Sequence, residues 1–134
     1  MKTNALGDFE WETDITEGDS NEPSDMATTS DGNLIISGVN HSNGQDVFLV
    51  KVDPDSDVIW RRDLLMPQRE FVQPSTIEDA NGDLVTAVTF TWNNLPGNEI
   101  LLIKTTANGD PVWEKSLGKP NWSDTAVDLV PSTD

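Results

Sequence analysis

Three tryptophans in closely similar sequence frames constrain the fold of this chain more than any other feature. Trp11 lies in GDFEWETDI, Trp60 in SDVIWRRDL and Trp113 in GDPVWEKSL, at spacings of 49 and 53 residues. A recurrence of about 50 residues is typical of repeat architectures, in which one small unit buries its apolar faces by stacking on its neighbours. The sequence therefore predicts several copies of one unit.

The repeat extends well beyond the tryptophans. SDGNLIISG, residues 30–38, aligns with ANGDLVTAV, residues 80–88, so a turn and the strand after it recur. FLVKVDPDSDVIW aligns in the same way with LLIKTTANGDPVW and matches Lys51 with Lys104. Three extra residues fall in the loop around FTWNNLPGN, where insertions are tolerated. At the end of the sequence, LVPSTD repeats MATTSD.

The pattern of apolar residues predicts an all-β chain. Short runs rich in Val, Ile, Leu, Phe and Thr are bounded by Gly, Asn, Asp and Pro, and Asp31-Gly32, Asn81-Gly82 and Asn108-Gly109 favour tight hairpin turns. Residues 47–50 and 100–103 are apolar without alternation. Successive side chains of a strand point to opposite faces, so both faces of these sheets must be covered.

Four strands per repeat, with middle strands buried on both sides, describe the blade of a β-propeller. We therefore predict a β-propeller-like fold with about two and a half four-stranded antiparallel blades in one repeat domain, residues 1–134. Its parts are an outer strand at 8–15, a blade at 23–64, a blade at 73–117 and an inner strand at 126–132. A closed ring takes about four to eight blades. The chain is expected to bind copies of itself or further blades, or to form an open oligomeric stack.

The frames SDGNLIISG and DVFLVKVDPDSDVIW resemble the bacterial and archaeal β-propeller repeats that combine a DGG turn, a K-x-D segment and a tryptophan. Pyrroloquinoline-quinone-like propeller repeats are similar at greater distance. The resemblance implies that Trp11, Trp60 and Trp113 lie on outermost strands and dock against the neighbouring blade. Ser56 stands where that family has a turn glycine, and Thr106 where it has an aspartate. The family is diverse in function, so the resemblance implies a fold rather than an activity.

Composition excludes several classes of partner. Asp and Glu number 24 against 8 Lys and Arg, for a net charge of −16, which would repel nucleic acid and anionic membranes. We expect neither nucleic-acid binding nor membrane insertion. The acidic surface suits a salt-rich or extracellular medium, and we expect a soluble, extracellular protein. There is no cysteine, and the first ten residues lack the apolar core of a signal peptide.

The strongest metal candidate is an acidic cluster in VDPDSDVIW. Asp53, Asp55 and Asp57 are spaced like the first three ligands of a calcium loop. The sixth position, where such a loop needs glycine, holds Val58. A hairpin turn with solvated carboxylates explains the same residues, so no cofactor is expected and calcium remains an alternative.

Two tryptophans lie outside the repeat frames. Trp92 belongs to the longer loop TWNNLPGN with Asn93 and Asn94, and Trp122 belongs to GKPNWSD. Loop aromatics beside amides are typical of sites that stack on sugar rings or anchor a protein partner. The alternative is that each ring folds back over a sheet edge. His41, the single histidine, has no nucleophile pattern beside it.

Three functions from different classes follow from these observations. We favour a non-enzymatic propeller module that acts as an assembly or recognition scaffold. The second is a carbohydrate- or small-ligand-binding module that uses the loop tryptophans. The third is a fragment of a larger propeller enzyme whose catalytic residues lie in other blades.

Overall fold

The computed structural model describes residues 1–15, 20–41, 46–64, 69–92, 96–119 and 122–131. Its secondary structure consists of ten β-strands, and the described residues contain no helix, so the all-β prediction is confirmed. The strands are β1 (Lys2–Thr3), β2 (Phe9–Trp11), β3 (Asn21–Thr28), β4 (Leu34–Asn40), β5 (Asp46–Val52), β6 (Val58–Leu64), β7 (Arg69–Glu78), β8 (Leu84–Trp92), β9 (Glu99–Thr105) and β10 (Pro111–Leu117).

The strands form three antiparallel sheets. Strands β3, β4, β5 and β6 follow one another in the first sheet, and β7, β8, β9 and β10 do the same in the second sheet. Strands β1 and β2 form a separate N-terminal hairpin. The two larger sheets are therefore four-stranded meanders of identical topology, as the sequence repeat predicts.

Two of the expected strands differ from the structure. The expected strand at 8–15 is only the second strand of a hairpin, Phe9–Trp11, and its partner Lys2–Thr3 is too short to show a periodic pattern. The expected strand at 126–132 is not a strand within its described part, 126–131. In both larger sheets the first strand pairs with the strand that follows it, and among the described residues no strand follows residues 126–131.

One five-residue turn closes the hairpin β1–β2, the hairpin β5–β6 and the hairpin β9–β10. We call residues 4–8, 53–57 and 106–110 the outer turns. In each, the first residue's N–H donates to the fifth residue's carbonyl at 2.8 to 3.0 Å, and the fourth residue's N–H donates back to the first residue's carbonyl. The turns 29–33 and 79–83 have the same two bonds, so the turn alone does not mark an outer hairpin. The pairing of Lys2 with Trp11, which matches that of Lys51 with Trp60 and of Lys104 with Trp113, makes the N-terminal hairpin a third copy of the outer half of a sheet.

The fourth residue of each outer turn has a positive φ, which glycine adopts at least cost. It is Gly7 at 85°, Ser56 at 83° and Gly109 at 79°. Because Ser56 carries a Cβ in the left-handed region, we expect Ser56→Gly to stabilise the protein by about 1 kcal/mol. Urea unfolding would measure this change. A Ser56→Gly variant less stable than the wild type would show that the serine side chain has a role of its own.

The two larger sheets pack face to face around one core. Alternating side chains of β4, β5 and β6 meet alternating side chains of β7, β8 and β9, as the uninterrupted apolar runs predict. The core consists of Ile35, Val39, Val47, Leu49, Leu64, Phe71, Leu84, Val88, Phe90, Leu101 and Ile103, with Trp60 packed against it.

The opposite face of the first sheet has a smaller core of its own. Phe48, Val50 and Val52 are buried there, and Ile15 packs against them from the segment before β3. The Arg61 guanidinium lies 4.8 Å from the centre of the Phe48 ring and donates a hydrogen bond to the carbonyl of Ile15. The first sheet is thus covered on both faces.

The first strands of the two sheets lie side by side and are joined by polar contacts. The Asp25 carboxylate accepts a hydrogen bond from the Thr76 backbone N–H at 3.0 Å, and the Glu78 carboxylate accepts one from the Ser30 N–H at 2.6 Å. Each strand also has a register shift beside a proline, Pro23 in β3 and Pro74 in β7. Proline and bulges are common protection for an exposed edge, because they remove ladder donors.

Candidate docking surface of the second sheet

A lysine and a tryptophan face each other across each outer hairpin. The paired residues are Lys2 and Trp11, Lys51 and Trp60, and Lys104 and Trp113. Directly opposed residues of an antiparallel pair project to the same face of a sheet. The three tryptophans therefore occupy one equivalent position, and in the first sheet the face that carries it is turned toward the second sheet.

Trp60 shows what this position does when a neighbouring sheet is present. Its half-buried ring packs against the core between the sheets and lies over the outer turn of the second sheet. A Cβ added to Gly109 would lie 3.0 and 3.2 Å from two Trp60 ring carbons and 2.6 Å from Cγ of Arg62. The Arg62 guanidinium is 5.8 Å from the Trp60 ring centre. This contact requires glycine in the turn beneath the ring.

Arg62 adds a charge to the same contact. Its Nε lies 3.9 Å from Oδ1 of Asp110, the residue after the turn glycine. Both side chains are substantially exposed, so the pair contributes orientation more than stability. Trp60 and Arg62 on one sheet, with Gly109 and Asp110 on the next, define the contact between the outer parts of the two sheets.

The second sheet presents the equivalent position without a sheet beside it. We call the face that carries Val85, Leu102, Lys104, Trp113, Lys115 and Leu117 the back face. Trp113 is 43% exposed and Leu117 is 40% exposed. In the first sheet the corresponding face is covered, and Val47 and Leu49 there are fully buried.

The segment 122–131 covers the inner part of the back face. The Ala126 N–H donates to Oγ1 of Thr89 at 3.0 Å, and Oγ of Ser75 donates to Asp128 at 3.2 Å. The Asp128 carboxylate also accepts from the N–H of the next residue, as the Asp25 carboxylate does in β3. The segment therefore occupies the place of a first strand and leaves the outer part of the back face, around Trp113, open.

Trp11 lies in a different environment from the other two. Its ring is half-buried, and the Lys2 ammonium lies 5.9 Å from the ring centre. Lys2 also forms an ion pair with Glu10 at 3.0 Å. Its ring nitrogen Nε1 is buried and has no hydrogen-bond partner among the described residues. The resemblance implied docking roles for Trp11, Trp60 and Trp113, and the contact of Trp60 with the second sheet is the one that the structure describes in detail.

The recurring lysines are held by aspartates of the turn that follows the first strand of each sheet. Lys51 Nζ donates to Asp31 at 2.7 Å, and Lys104 Nζ donates to Asp79 at 2.7 Å and lies 3.0 Å from Asp83. The paired aspartate lies at a different position of the turn in each sheet, but in both sheets its carboxylate accepts a hydrogen bond from the equivalent lysine.

These pairs shift the titration of their members. The hydrogen bond from Lys51, and then the one from Thr29, hold the pKa of Asp31 well below its usual range. The hydrogen bond from Lys104 likewise lowers the pKa of Asp79. Hydrogen bonds to Asp79 and then Asp83 raise the pKa of Lys104. The charged forms are favoured in every case.

We expect the protein to lose stability in acid through these two aspartates. A carboxylate with a lowered pKa stabilises the fold above its unfolded value, about 3.9, and this contribution disappears as pH falls through the folded value. Asp79→Asn should therefore lower the melting temperature by a few degrees at pH 7 and by much less at pH 2.5. Thermal melts followed by circular dichroism at both pH values would measure the difference.

The control is Asp55→Asn, at an exposed position of an outer turn. It should change the melting temperature little at either pH. An Asp79→Asn effect of equal size at pH 2.5 and pH 7 would show that the carboxylate charge is not what stabilises the turn.

The acidic cluster Asp53, Asp55 and Asp57 forms the outer turn of the first sheet. Oδ1 of Asp53 accepts the backbone N–H of Asp55 and of Asp57, both at 2.9 Å. Asn4 and Thr106 make the same two bonds in the other outer turns without a carboxylate. Within the part of the chain that the structure describes, no group of three or more acidic or histidine side chains is placed to hold a metal ion. The geometry accounts for Asp53 as a turn residue.

The loop aromatics are only partly within the described residues. Trp122 is 67% exposed and lies at a shallow cleft of about 390 Å³ with Gly118, Lys119 and Asp124. Trp92 ends β8, but its side chain, Asn93 and Asn94 lie outside the description. The predicted binding residues Trp92, Asn93 and Asn94 thus lie outside the described side chains, and Trp122 is the one loop tryptophan whose surroundings the structure describes.

Two further clefts lie along the stacked sheets. One of about 640 Å³ runs beside the first strands and is lined by polar residues that include Glu22, Asp25, Gln73 and Asp128. The Asp25 and Asp128 carboxylates accept hydrogen bonds there from backbone and serine groups, so they help to hold the first strands together. The other, of about 520 Å³, lies between β6 and β10 and is lined mainly by apolar groups.

Comparison of the chain with protein-family models, with curated proteins and with solved structures found no match. Its class is therefore defined by its own geometry, as stacked antiparallel sheets of one repeating design. The described residues contain no apolar helix of membrane-crossing length.

Proposed function

We propose that this chain is a non-enzymatic β-propeller repeat module that serves as an extracellular assembly or recognition scaffold. In this proposal it associates with copies of itself or forms part of a larger propeller. The observation that carries it is the contact of Trp60 with the outer turn at Gly109, together with the open equivalent position at Trp113. A surface that is a sheet-to-sheet interface in one copy of the repeat is expected to be one in the next.

The chemistry of the strands supports this proposal. Both faces of the second sheet carry apolar side chains, but only one face is covered by another complete sheet. Exposed aromatic and aliphatic groups in contiguous positions are typical of protein-binding surfaces. The first strands, with their prolines and bulges, would line the axis of the ring.

The recurring polar residues favour a structural role over a catalytic one. Lys51 and Lys104 are held in ion pairs, and Asp53 is bonded to the backbone of its own turn. His41 lies at the surface with its Nε2 3.4 Å from Glu22, and the sequence beside it contains no nucleophile pattern. A scaffold uses these groups to fix turns and sheet edges.

Sedimentation equilibrium tests the proposal directly. At micromolar concentrations we expect a defined multimer of the 14.7 kDa chain. A monomer at every concentration, unfolding in one cooperative transition, would overturn the proposed self-association.

A second candidate function follows from Trp122, whose exposed ring has polar neighbours on a shallow surface. Such platforms can stack on sugar rings. If the protein binds glycans, an array signal should be lost in Trp122→Ala and retained in Trp113→Ala. A wild type without signal on a broad array would leave this candidate without support.

A further inference from the structure

The contact between the two sheets joins a tryptophan and a cation on one sheet to a glycine-containing outer turn on the other. Each of these two surfaces has an exposed equivalent elsewhere in the chain. We propose that the outer part of the back face binds the N-terminal hairpin of a second copy of this chain, with Trp113 and Lys115 of one copy on Gly7 and Asp8 of the other. This inference names the partner and the surface of the proposed self-association, and it rests on that proposed function.

The first surface is the pair Trp113 and Lys115. Trp113 faces Lys104 and Lys115 faces Leu102 across the strand pair β9–β10. Trp60 and Arg62 face Lys51 and Leu49 in the same way across β5–β6. An aromatic ring and a cation, two residues apart on the last strand, are therefore presented in both sheets.

The second surface is the outer turn of the N-terminal hairpin. It has the backbone hydrogen bonds of the turn at Gly109, and its fourth residue, Gly7, has a φ of 85° against 79° for Gly109. Around the position of a Cβ on Gly109 lie Trp60 and Arg62, but around the same position on Gly7 nothing lies within 4 Å. The turn at Gly32 is also uncovered, but Gly7 and Gly109 both belong to hairpins in which a lysine faces a tryptophan, so Gly7 is the uncovered outer counterpart of the covered turn.

The glycine at position 7 makes the N-terminal turn a better binding site for the tryptophan than the turn at Ser56. A Cβ on Gly109 would approach Arg62 Cγ to 2.6 Å, which is too close for a real side chain. The outer turn of the first sheet has Ser56 at this position, so its Cβ would collide with a ring and cation docked in the same manner. Of the three outer turns, only those at Gly7 and Gly109 accept the tryptophan, and the second is already occupied.

Charge favours the same pairing. Asp8 follows Gly7 as Asp110 follows Gly109, and Lys115 replaces Arg62. Lys115 and Asp8 are both exposed. In a chain of net charge −16, like surfaces repel, so an exposed lysine beside an exposed tryptophan marks a place where an acidic turn of another copy can approach.

The segment 122–131 and the incoming hairpin would cover different parts of the back face. The segment lies over the inner part, through Ala126 and Asp128, whereas a hairpin equivalent to β9–β10 belongs at the outer part, near Trp113. The contact is head-to-tail, because two different surfaces meet. Repetition of such a contact closes into a ring or extends as a chain.

Charge reversal with sedimentation equilibrium tests this inference. Lys115→Asp and Asp8→Lys should each weaken self-association about tenfold or more, because each alone sets like charges against each other. An equimolar mixture of the two variants should recover association, since alternating copies then present opposite charges at every contact. Asp57→Lys and Lys119→Asp are the matched controls, with the same charge changes at the Ser56 turn and at an exposed lysine outside the contact.

A second pair of variants separates folding from docking. Gly7→Ala and Gly32→Ala both place a Cβ at positive φ in open space, so their cost within one chain should match. Only Gly7→Ala should weaken association. Self-association that all of these variants leave unchanged would overturn the inference and leave the proposed function standing. A wild type that is monomeric throughout would instead overturn the proposed self-association.

Discussion

Replacement of Gly38 by valine is expected to unfold the protein or to cost it about 4 kcal/mol or more. A Cβ at this position would lie 2.3 Å from the backbone oxygen of Glu22 and 2.5 Å from Cζ of Phe48. Neither neighbour can move freely, because Glu22 is paired within β3 and Phe48 is fully buried under Arg61. A total stability of about 5 to 15 kcal/mol is typical of a domain, so this loss is large. Urea unfolding followed by circular dichroism would measure it.

The second sheet supplies a control for this variant. Gly38 is paired with Phe48 in the first sheet, whereas Val88 is paired with Leu101 at the equivalent place in the second. The first sheet therefore pairs a small residue with a large one, where the second sheet pairs two residues of intermediate size. Gly38→Val combined with Phe48→Leu should therefore recover part of the lost stability. Gly38→Val with unchanged stability would contradict the close approach of the Phe48 ring and β3.

The second large effect is expected at Trp60. Trp60→Ala removes a ring that packs against the core between the sheets and covers the turn at Gly109, and it should cost about 3 kcal/mol. Trp113→Ala, at the equivalent position of the second sheet, removes a ring that is 43% exposed. In dilute, monomeric protein it should cost less than about 1 kcal/mol. The two variants therefore compare the stability lost at one position of the repeat when a neighbouring sheet is present and when it is absent.

Urea unfolding of both variants at low concentration gives these two numbers. Equal losses would contradict the account, because they would mean that a neighbouring sheet adds nothing to the tryptophan position. At concentrations where the wild type associates, the cost of Trp113→Ala should rise, since docking then stabilises the folded chain by mass action.

Much of the fold could be predicted from the sequence because the same pattern of turns and apolar strands occurs in two aligned copies. The turns at Gly32 and Gly82 and the apolar runs between residues 34 and 103 specify strands buried on both faces, and the structure has two such sheets. The recurrence of Lys51 and Lys104 in register was likewise visible in the sequence. These features are local or recur in register, so the sequence alone displays them.

The first strand of the N-terminal hairpin was missed for a physical reason, whereas β2 lies within the expected strand at 8–15. Lys2–Thr3 is two residues long and polar, so it carries no alternation of apolar residues. The turn Asn4 to Asp8 was a signal that could have been found, because its asparagine and glycine stand where Asp53 and Ser56 stand in the first sheet. A search for the turn chemistry instead of the apolar period would have identified the hairpin.

The docking contact itself could be predicted only in part. The recurrence of Trp60 and Trp113 indicated a common role, but the glycine beneath the ring belongs to the next sheet, 49 residues further along the chain. The packing of Phe48 on Gly38 is hidden for the same reason, since Gly38 resembles any glycine at the end of a strand. Contacts of this kind depend on how strands and sheets are placed, which no local pattern specifies.

The central claim is that one tryptophan position serves as the docking point of both four-stranded sheets, inside the chain at Trp60 and between chains at Trp113. Hydroxyl-radical footprinting with peptide mass spectrometry, over a range of protein concentrations, tests it most directly. We predict that Trp60 is protected throughout, that Trp122 is oxidised throughout, and that Trp113 is oxidised in dilute protein and protected as the chain associates. Oxidation of Trp60 at the rate of Trp122, or of Trp113 at a constant rate while the mass of the particles rises, would contradict the claim.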